Sequence, residues 1–281
     1  VAYEDTLQGS IVFRNDLKVP LTDVVVEMRL NGLLVDRTSV KPDKGFYRSG
    51  DDTIFWDKAE NNTLESVAPG ETREVTFNMD IVKRQDDLVK VLRRAASSLT
   101  ITVKAKRLNE NRVPEEITYG TSREVRLRTD LALTSYLENV SGPLPAQVNE
   151  ETVYRYKGRI TNTANAVKNT VFVAKLPPNA IWKNSYSTNL PAAGVKYDTG
   201  KRELTVQPGE IPSGIGVDKD PVDFYFDFGF TPTLTQAGTM PQVIIGPKIG
   251  GIDAFTEVQV ESGVGALDTS GAGGGGNVVE Q

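Results

Sequence analysis

Between residues 152 and 160 the side chains alternate: Tyr154, Tyr156, Gly158 and Ile160 fall on one parity, and Arg155, Lys157 and Arg159 on the other. A strand sends successive side chains to opposite faces, so this pattern describes a strand with one buried face. Short alternating runs of the same kind recur at residues 10–13, 24–30, 74–79, 99–104, 124–127, 222–230 and 256–260. Asn31-Gly32, Ser49-Gly50-Asp51, Pro69-Gly70, Thr199-Gly200 and Pro208-Gly209 stand between runs and supply residues that accept turn geometry. Regular short strands between such turns predict an all-β sandwich or barrel. One stretch has two readings. Asp86 or Asp87 caps a short helix with Leu88, Val91, Leu92 and Ala95 on one face, or the same residues form an irregular crossover.

The runs repeat. Phe13-Arg14-Asn15 recurs as Ile160-Thr161-Asn162, and Val24-Val25-Val26 as Val171-Phe172-Val173, both displaced by 147 positions. Tyr47 and Gly50 match Tyr197 and Gly200 at a displacement of 150, which also sets Trp56 opposite Val206. Pro69-Gly70 before Val75 and Phe77 corresponds to Pro212-Ser213-Gly214 before Phe224 and Phe226. Ordered matches at near-constant spacing predict two copies of one fold. A chain of 281 residues suits two domains of ordinary size. The boundary falls near Arg128 to Asp130, giving tandem immunoglobulin-like β-sandwiches at 1–129 and 130–262 with the same strand order and a short link that limits hinge freedom. Residues 263–281 contain five glycines and one alanine between Gly271 and Gly276, the composition of a flexible, disordered tail.

Composition removes more functions than any motif adds. The chain has no Cys and no His. Disulfides, thiolate nucleophiles, Ser-His-Asp triads and zinc sites built on Cys or His are therefore excluded. A net charge of −5 lacks the excess of Lys and Arg that neutralises phosphates, so no nucleic-acid partner is expected. No apolar run is long enough for a membrane helix, and the residues from Val1 do not form a signal peptide.

Family resemblance enters through the strand ending in Asn15, Leu21-Thr22-Asp23-Val24-Val25-Val26, Ile54-Phe55-Trp56, and Val67-Ala68-Pro69-Gly70-Glu71 leading to Val75-Thr76-Phe77. The second half carries Arg159-Ile160-Thr161-Asn162-Thr163, Leu176-Pro177-Pro178, Thr199-Gly200, Ile211-Pro212-Ser213-Gly214, Thr231-Pro232-Thr233 and Asp253-Ala254-Phe255-Thr256. In this order the chain resembles the Ig-like repeat domains of unknown function in bacterial and archaeal surface proteins. Its second half resembles the C-terminal modules of long surface proteins in uncultivated, small-genome bacteria. The resemblance implies an extracellular, cell-surface location, a β-sandwich used in tandem arrays, anchoring supplied elsewhere, and no catalytic residue. Val206 stands where the repeat carries Trp, which implies a differently packed second core.

Each candidate site has a competing structural role. Asn15 and Asn162 end equivalent strands and suit turn-holding better than ligand binding. Asp218, Asp220, Asp223 and Asp227 form the densest acidic group, an incomplete calcium pattern, with Asp51-Asp52 a weaker one. Glu115-Glu116 and Glu150-Glu151 are adjacent pairs whose side chains diverge on a strand, which does not suit paired-acid hydrolysis. Lys157, the residue to consider for an intramolecular isopeptide bond, shares the outward parity of the arginines. Asn61-Asn62-Thr63 and Asn139-Val140-Ser141 match the glycosylation pattern near expected turns. Trp56, Trp182, Tyr186 and Tyr197 either fill cores or form a carbohydrate platform, with Trp182 and Tyr186 in a loop-like stretch as the exposed pair.

The sequence thus predicts a non-catalytic structural spacer or adhesive module, with no metal or cofactor, beside neighbouring repeats of the same surface protein. The alternative is a module that binds surface glycan or protein through loop aromatics. The expected core is Phe13, Val24, Val26, Trp56, Val75 and Phe77 in the first domain, and Tyr154, Tyr156, Ile160, Val171, Val173, Phe224 and Phe226 in the second.

Overall fold

A computed structural model describes residues 1–108, 113–189, 194–274 and 276–280. It divides into two compact units, Val1–Leu88 with Arg94–Leu127, and Val89–Arg93 with Arg128–Gln281. The chain is nearly all β, and each unit pairs two antiparallel sheets in the immunoglobulin-like manner.

In the first unit the strands are β1 (Thr6–Arg14), β2 (Leu21–Asn31), β3 (Lys41–Pro42), β4 (Phe46–Arg48), β5 (Thr53–Trp56), β6 (Ser66–Val67), β7 (Thr72–Asp80), β8 (Ala96–Leu108) and β9 (Pro114–Arg126). One sheet has the order β1-β7-β3; the other runs β4-β5-β2-β8-β9, with β6 on β2. Alternation along β2 turns Val24, Val26 and Met28 inward, where they join Ile54, Trp56, Val75, Phe77 and Met79 in one apolar cluster. Trp56 is wholly buried, its ring 6.4 Å from that of Phe77, and its indole Nε1 donates to the Asp43 carbonyl at 3.0 Å. Gly9 lies opposite Phe77 in register, and a Cβ there would run into the Phe77 ring.

The second unit contains β10 (Leu131–Ser141), β11 (Thr152–Asn162), β12 (Val167–Lys175), β13 (Ala180–Thr188), β14 (Gly194–Asp198), β15 (Glu203–Ile211), β16 (Val222–Phe230), β17 (Gln242–Asp253), β18 (Gln259–Gly263) and β19 (Leu267–Asp268). Its sheets have the orders β13-β16-β11-β10 and β14-β15-β12-β17-β18, with β19 on β17. Matched to the first unit strand for strand, this is the same order with β10 added beside β11. The core is more aromatic: Tyr156 lies 4.8 Å from Phe226, and Phe172 meets Phe224 edge-on at 4.8 Å between centroids. Gly158 lies opposite Phe224 and, like Gly9, leaves the space that a phenylalanine ring fills.

Most expected core residues are buried, and the exceptions have local causes. Phe13 is only half-buried, on a strand whose outer edge is open. Val171 and Val173 also lie half-exposed on the outer face, while Phe172 between them is fully buried. A register shift between Val167 and Thr170 places Thr170, Phe172 and Ala174 inward, and a one-residue slip exchanges the faces of a strand.

Two further expectations are corrected. The short helix α1 (Asp86–Val91) forms, yet Val89 is buried and Val91 exposed on it, with Leu92 buried just past its end, so the expected face is rotated. A cap by the Asp86 side chain lies outside the described residues. The segment 263–281, expected to be a disordered tail, is built into the second unit as far as it is described; Gly275 and Gln281 lie outside the described residues. Gln242 and Ile244 of β17 pair with Asp268 and Leu267, Val278 is buried beside Ala146 and Val148, and Val279 bridges Gln147. Apolar anchors on both flanks hold the glycine run, which composition alone did not reveal.

Candidate functional site

Asn15 and Asn162 are the clearest equivalent polar residues in the two units. Both are buried. Asn15 donates through Nδ2 to the carbonyls of Val19 (3.0 Å) and Val67 (2.9 Å), and its Oδ1 accepts the Leu17 N–H at 3.0 Å. Asn162 donates through Nδ2 to Asn165 (2.7 Å), Ile211 (3.2 Å) and Pro212 (2.9 Å) carbonyls. In each unit the side-chain amide fastens a strand end to the residue that precedes a proline-containing turn, the turn-holding role set beside ligand binding above.

The second unit extends this into a buried polar network. Thr129 Oγ1 donates to Asn162 Oδ1 at 2.7 Å, and the Thr129 N–H donates to the Asp253 carboxylate at 2.7 Å. Asn165 Nδ2 and the N–H groups of Phe255 and Thr256 also donate to Asp253, at 2.9, 2.8 and 3.0 Å. Burial pushes the Asp253 carboxyl up, but the hydrogen bonds from Thr129, Asn165, Thr256 and Phe255 outweigh it and hold the group below the ordinary carboxylate range. Nothing in the sequence marked Asp253 beyond its place in the Asp253-Ala254-Phe255-Thr256 motif. The carboxylate followed by two donating N–H groups is an Asx-turn signal.

Within the acidic group Asp218, Asp223 and Asp227 are each paired with an arginine. Arg159 grips Asp223 through Nε (2.7 Å) and Nη2 (2.9 Å), and Arg155 grips Asp227 at 2.7 and 3.0 Å. The Arg155 guanidinium holds the Asp227 carboxyl below its usual range, and Arg93, paired with Asp218, does the same there. Elsewhere Arg48 chelates Asp51, and Asp52 accepts the Tyr47 hydroxyl at 2.5 Å and faces Arg37 at 3.2 Å. Burial pushes the Tyr47 hydroxyl up to about 12. Glu115 pairs with Arg107, and Glu151 with Lys183. Lys157 pairs with Glu138 at 2.8 Å on the outward face.

Of the two glycosylation patterns, Asn61 is buried and caps a 3-10 turn, accepting the Thr63 N–H and hydroxyl. Asn139 lies within β10, not in a turn. The aromatic platform is also corrected. Trp182 and Tyr186 lie in β13, a strand, and both are half-buried against the core. The Trp182 ring lies 5.5 Å from that of Tyr197, tilted at 48°, and its Nε1 donates to the Ser185 carbonyl.

The exposed aromatics are elsewhere. On the outer face of β10-β11-β16, Tyr136, Lys157 and Tyr225 stand in one cross-strand row, with Tyr136 57% and Tyr225 37% exposed. Lys157 Nζ lies 5.7 Å from the Tyr136 ring centre, and the Arg155 guanidinium lies 4.6 Å from that of Tyr225. The rows on either side hold the Arg155–Asp227 and Arg159–Asp223 pairs. Strand parity was the available signal, because Phe224, Tyr225 and Phe226 alternate and the core-facing phenylalanines leave Tyr225 outside.

No family model matches the sequence, and no curated protein matches it. Solved structures show some likeness. The C-terminal domain of the antigen I/II-family protein AspA of Streptococcus pyogenes is 11% identical over 94% of each chain, with a TM-score of 0.32. The major pilin subunit BcpA of Bacillus cereus is 8% identical over 93% of this chain and 69% of its own, with a TM-score of 0.37. The major pilin SpaA of Corynebacterium diphtheriae is 15% identical over 86% of this chain and 61% of its own, with a TM-score of 0.29.

Proposed function

We propose that this chain is a non-catalytic structural module of a bacterial cell-surface protein, two repeated sandwiches that extend or space the protein outside the cell. The observation that carries this reading is the pairing of its acids. Asp51, Asp218, Asp223, Asp227, Glu115 and Glu151, each weighed above as a metal or acid–base candidate, sit against a Lys or Arg side chain. A carboxylate already held against a cationic side chain is a poor start for a cation cage. The absence of Cys and His supports the same reading.

Calcium titration tests it. The melting temperature is expected to be the same in chelator and in calcium, because only a ligand that prefers the native state shifts unfolding. A calcium-dependent rise, abolished by Asp218→Asn with Asp220→Asn, contradicts it. So does turnover of a glycan or peptide that is lost on changing one carboxylate.

A second reading rests on the Tyr136–Lys157–Tyr225 row. Two exposed aromatic faces beside fixed cations suit contact with a sugar ring or a protein surface. Binding of the chain to a glycan array or to whole cells, lost in Tyr225→Ala at unchanged melting temperature, favours this adhesive role over spacing alone.

A further inference from the structure

In the second unit β10 closes the outer edge of β11, and Leu131, Leu133 and Leu137 along it are buried. In the first unit the strand in the same place, β1, has β7 on one side and, among the described residues, no strand on the other. The consequence is visible in the side chains. Tyr154, Tyr156 and Ile160 of β11 are fully buried, while Leu7 and Phe13 of β1 are half-exposed although both pack on the core.

The open edge has a defined set of free groups. Asn15 N–H donates to the Glu71 carbonyl and Ile81 N–H to that of Asp5, so the odd-numbered residues bond toward β7. In an antiparallel ladder the alternate residues then turn both backbone groups away. Thr6, Gln8, Ser10, Val12 and Arg14 therefore present N–H and C=O to the open side.

Proteins protect long edges with charge, proline, bulges or brevity. Among the described residues, β9 begins at Pro114 and carries Glu115, Glu116, Arg123, Glu124 and Arg126, and β10 and β13 are bulged. The edge strands β3, β4, β14 and β18 have two to five residues. β1 has nine residues in unbroken register with β7, its one charge at Arg14, and Val12 is 60% exposed.

We infer that the β1 edge is an interface for a second copy of this chain, which adds its own β1 antiparallel about a two-fold axis at Ser10. This strand is self-complementary. With Ser10 on the axis, Val12 lies opposite Gln8 and Arg14 opposite Thr6, all with edge-facing backbone groups. On the core side Phe13 lies opposite Leu7 of the second copy, so each half-exposed side chain covers the other. A C2 interface uses one patch twice in this way.

Sedimentation of the full chain over a concentration series tests the pairing. A monomer–dimer equilibrium is expected, weakened at least tenfold by Ser10→Pro, which removes an edge donor and no β1–β7 hydrogen bond. Ser10→Lys, which keeps the N–H but sets two like charges at the axis, must weaken it as well; it serves if the proline variant fails to fold. The chain has no native Cys, so Ser10→Cys supplies one thiol, expected to form a disulfide-linked dimer faster than Thr121→Cys on β9. A monomer at every concentration overturns the inference, as does a dimer untouched by both Ser10 variants. Binding of a peptide with the sequence of residues 131–141 by a chain that does not self-associate overturns the second copy as the occupant.

Discussion

The two units solve one packing problem with the large side chain on opposite strands. In the first, Val26 on β2 is paired with Trp56 on β5; in the second, Phe172 on β12 is paired with Val206 on β15. All four are buried. Each site holds one large and one small residue, so volume is conserved across the pair while the bulk changes sides. The strand-opposed glycine moves too: Gly9 makes room for Phe77, and Gly158 for Phe224. What the fold keeps is the strand order and the buried Asn at the strand end. What it exchanges is the filling.

Trp56→Ala in the first unit and Phe172→Ala in the second should each cost about 3 to 5 kcal/mol, the range for deleting a buried aromatic side chain. Denaturant titration checks this, and an unchanged midpoint for either removes that residue from its core. Val206→Trp alone should overpack the second unit and cost about 1 to 3 kcal/mol. Adding Phe172→Val should recover part of the loss, because it recreates the Val26–Trp56 arrangement. If the double variant is worse than the two single effects combined, the exchange of sides is not the right comparison.

The polar side of the comparison gives the next effect. Asn15 acts alone, whereas Asn162 belongs to the network that ends on Asp253. Asp253→Ala leaves buried N–H donors unpaired, at about 1 to 3 kcal/mol for each such group. The loss should exceed that from Asn15→Ala. Acid should act in the same place. The folded Asp253 carboxyl is held below its unfolded value near 3.8, so its stabilising contribution is full above that value. It is lost as pH falls through the lower folded value. The second unit should therefore lose protection in acid through this group, and Asp253→Asn should flatten that part of the pH profile. Arg159→Ala, which breaks an exposed pair, should move the melting temperature least of all.

Strand identity was legible because alternation is a local property: the runs around Val24, Val75, Tyr154 and Phe224 all became strands. The Asn15 and Asn162 positions were legible for the same reason, as an amide at a strand end before a turn. Val171 and Val173 were assigned to the wrong face because a bulge shifts register without marking the sequence. Trp182 and Tyr186 were read from the Pro177-Pro178 pair as loop residues, but β16 had an unpaired side and drew them into a strand. The glycine-rich segment was misread because Val278 is fixed by Ala146 and Val148, partners far away in sequence. Asp253 was invisible as a site because its partners come from Thr129, Asn165 and the turn that follows it. No single window contains them.

The central claim is that the chain holds two copies of one sandwich, each stabilised by its own core. Hydrogen exchange on Trp56→Ala tests it most directly, since amide protection reports opening strand by strand. Protection should fall in β2, β5 and β8 and remain at the wild-type level in β11, β12 and β16. An equal loss across both sets of strands would contradict the account, because it would mean that one shared core stabilises the whole chain.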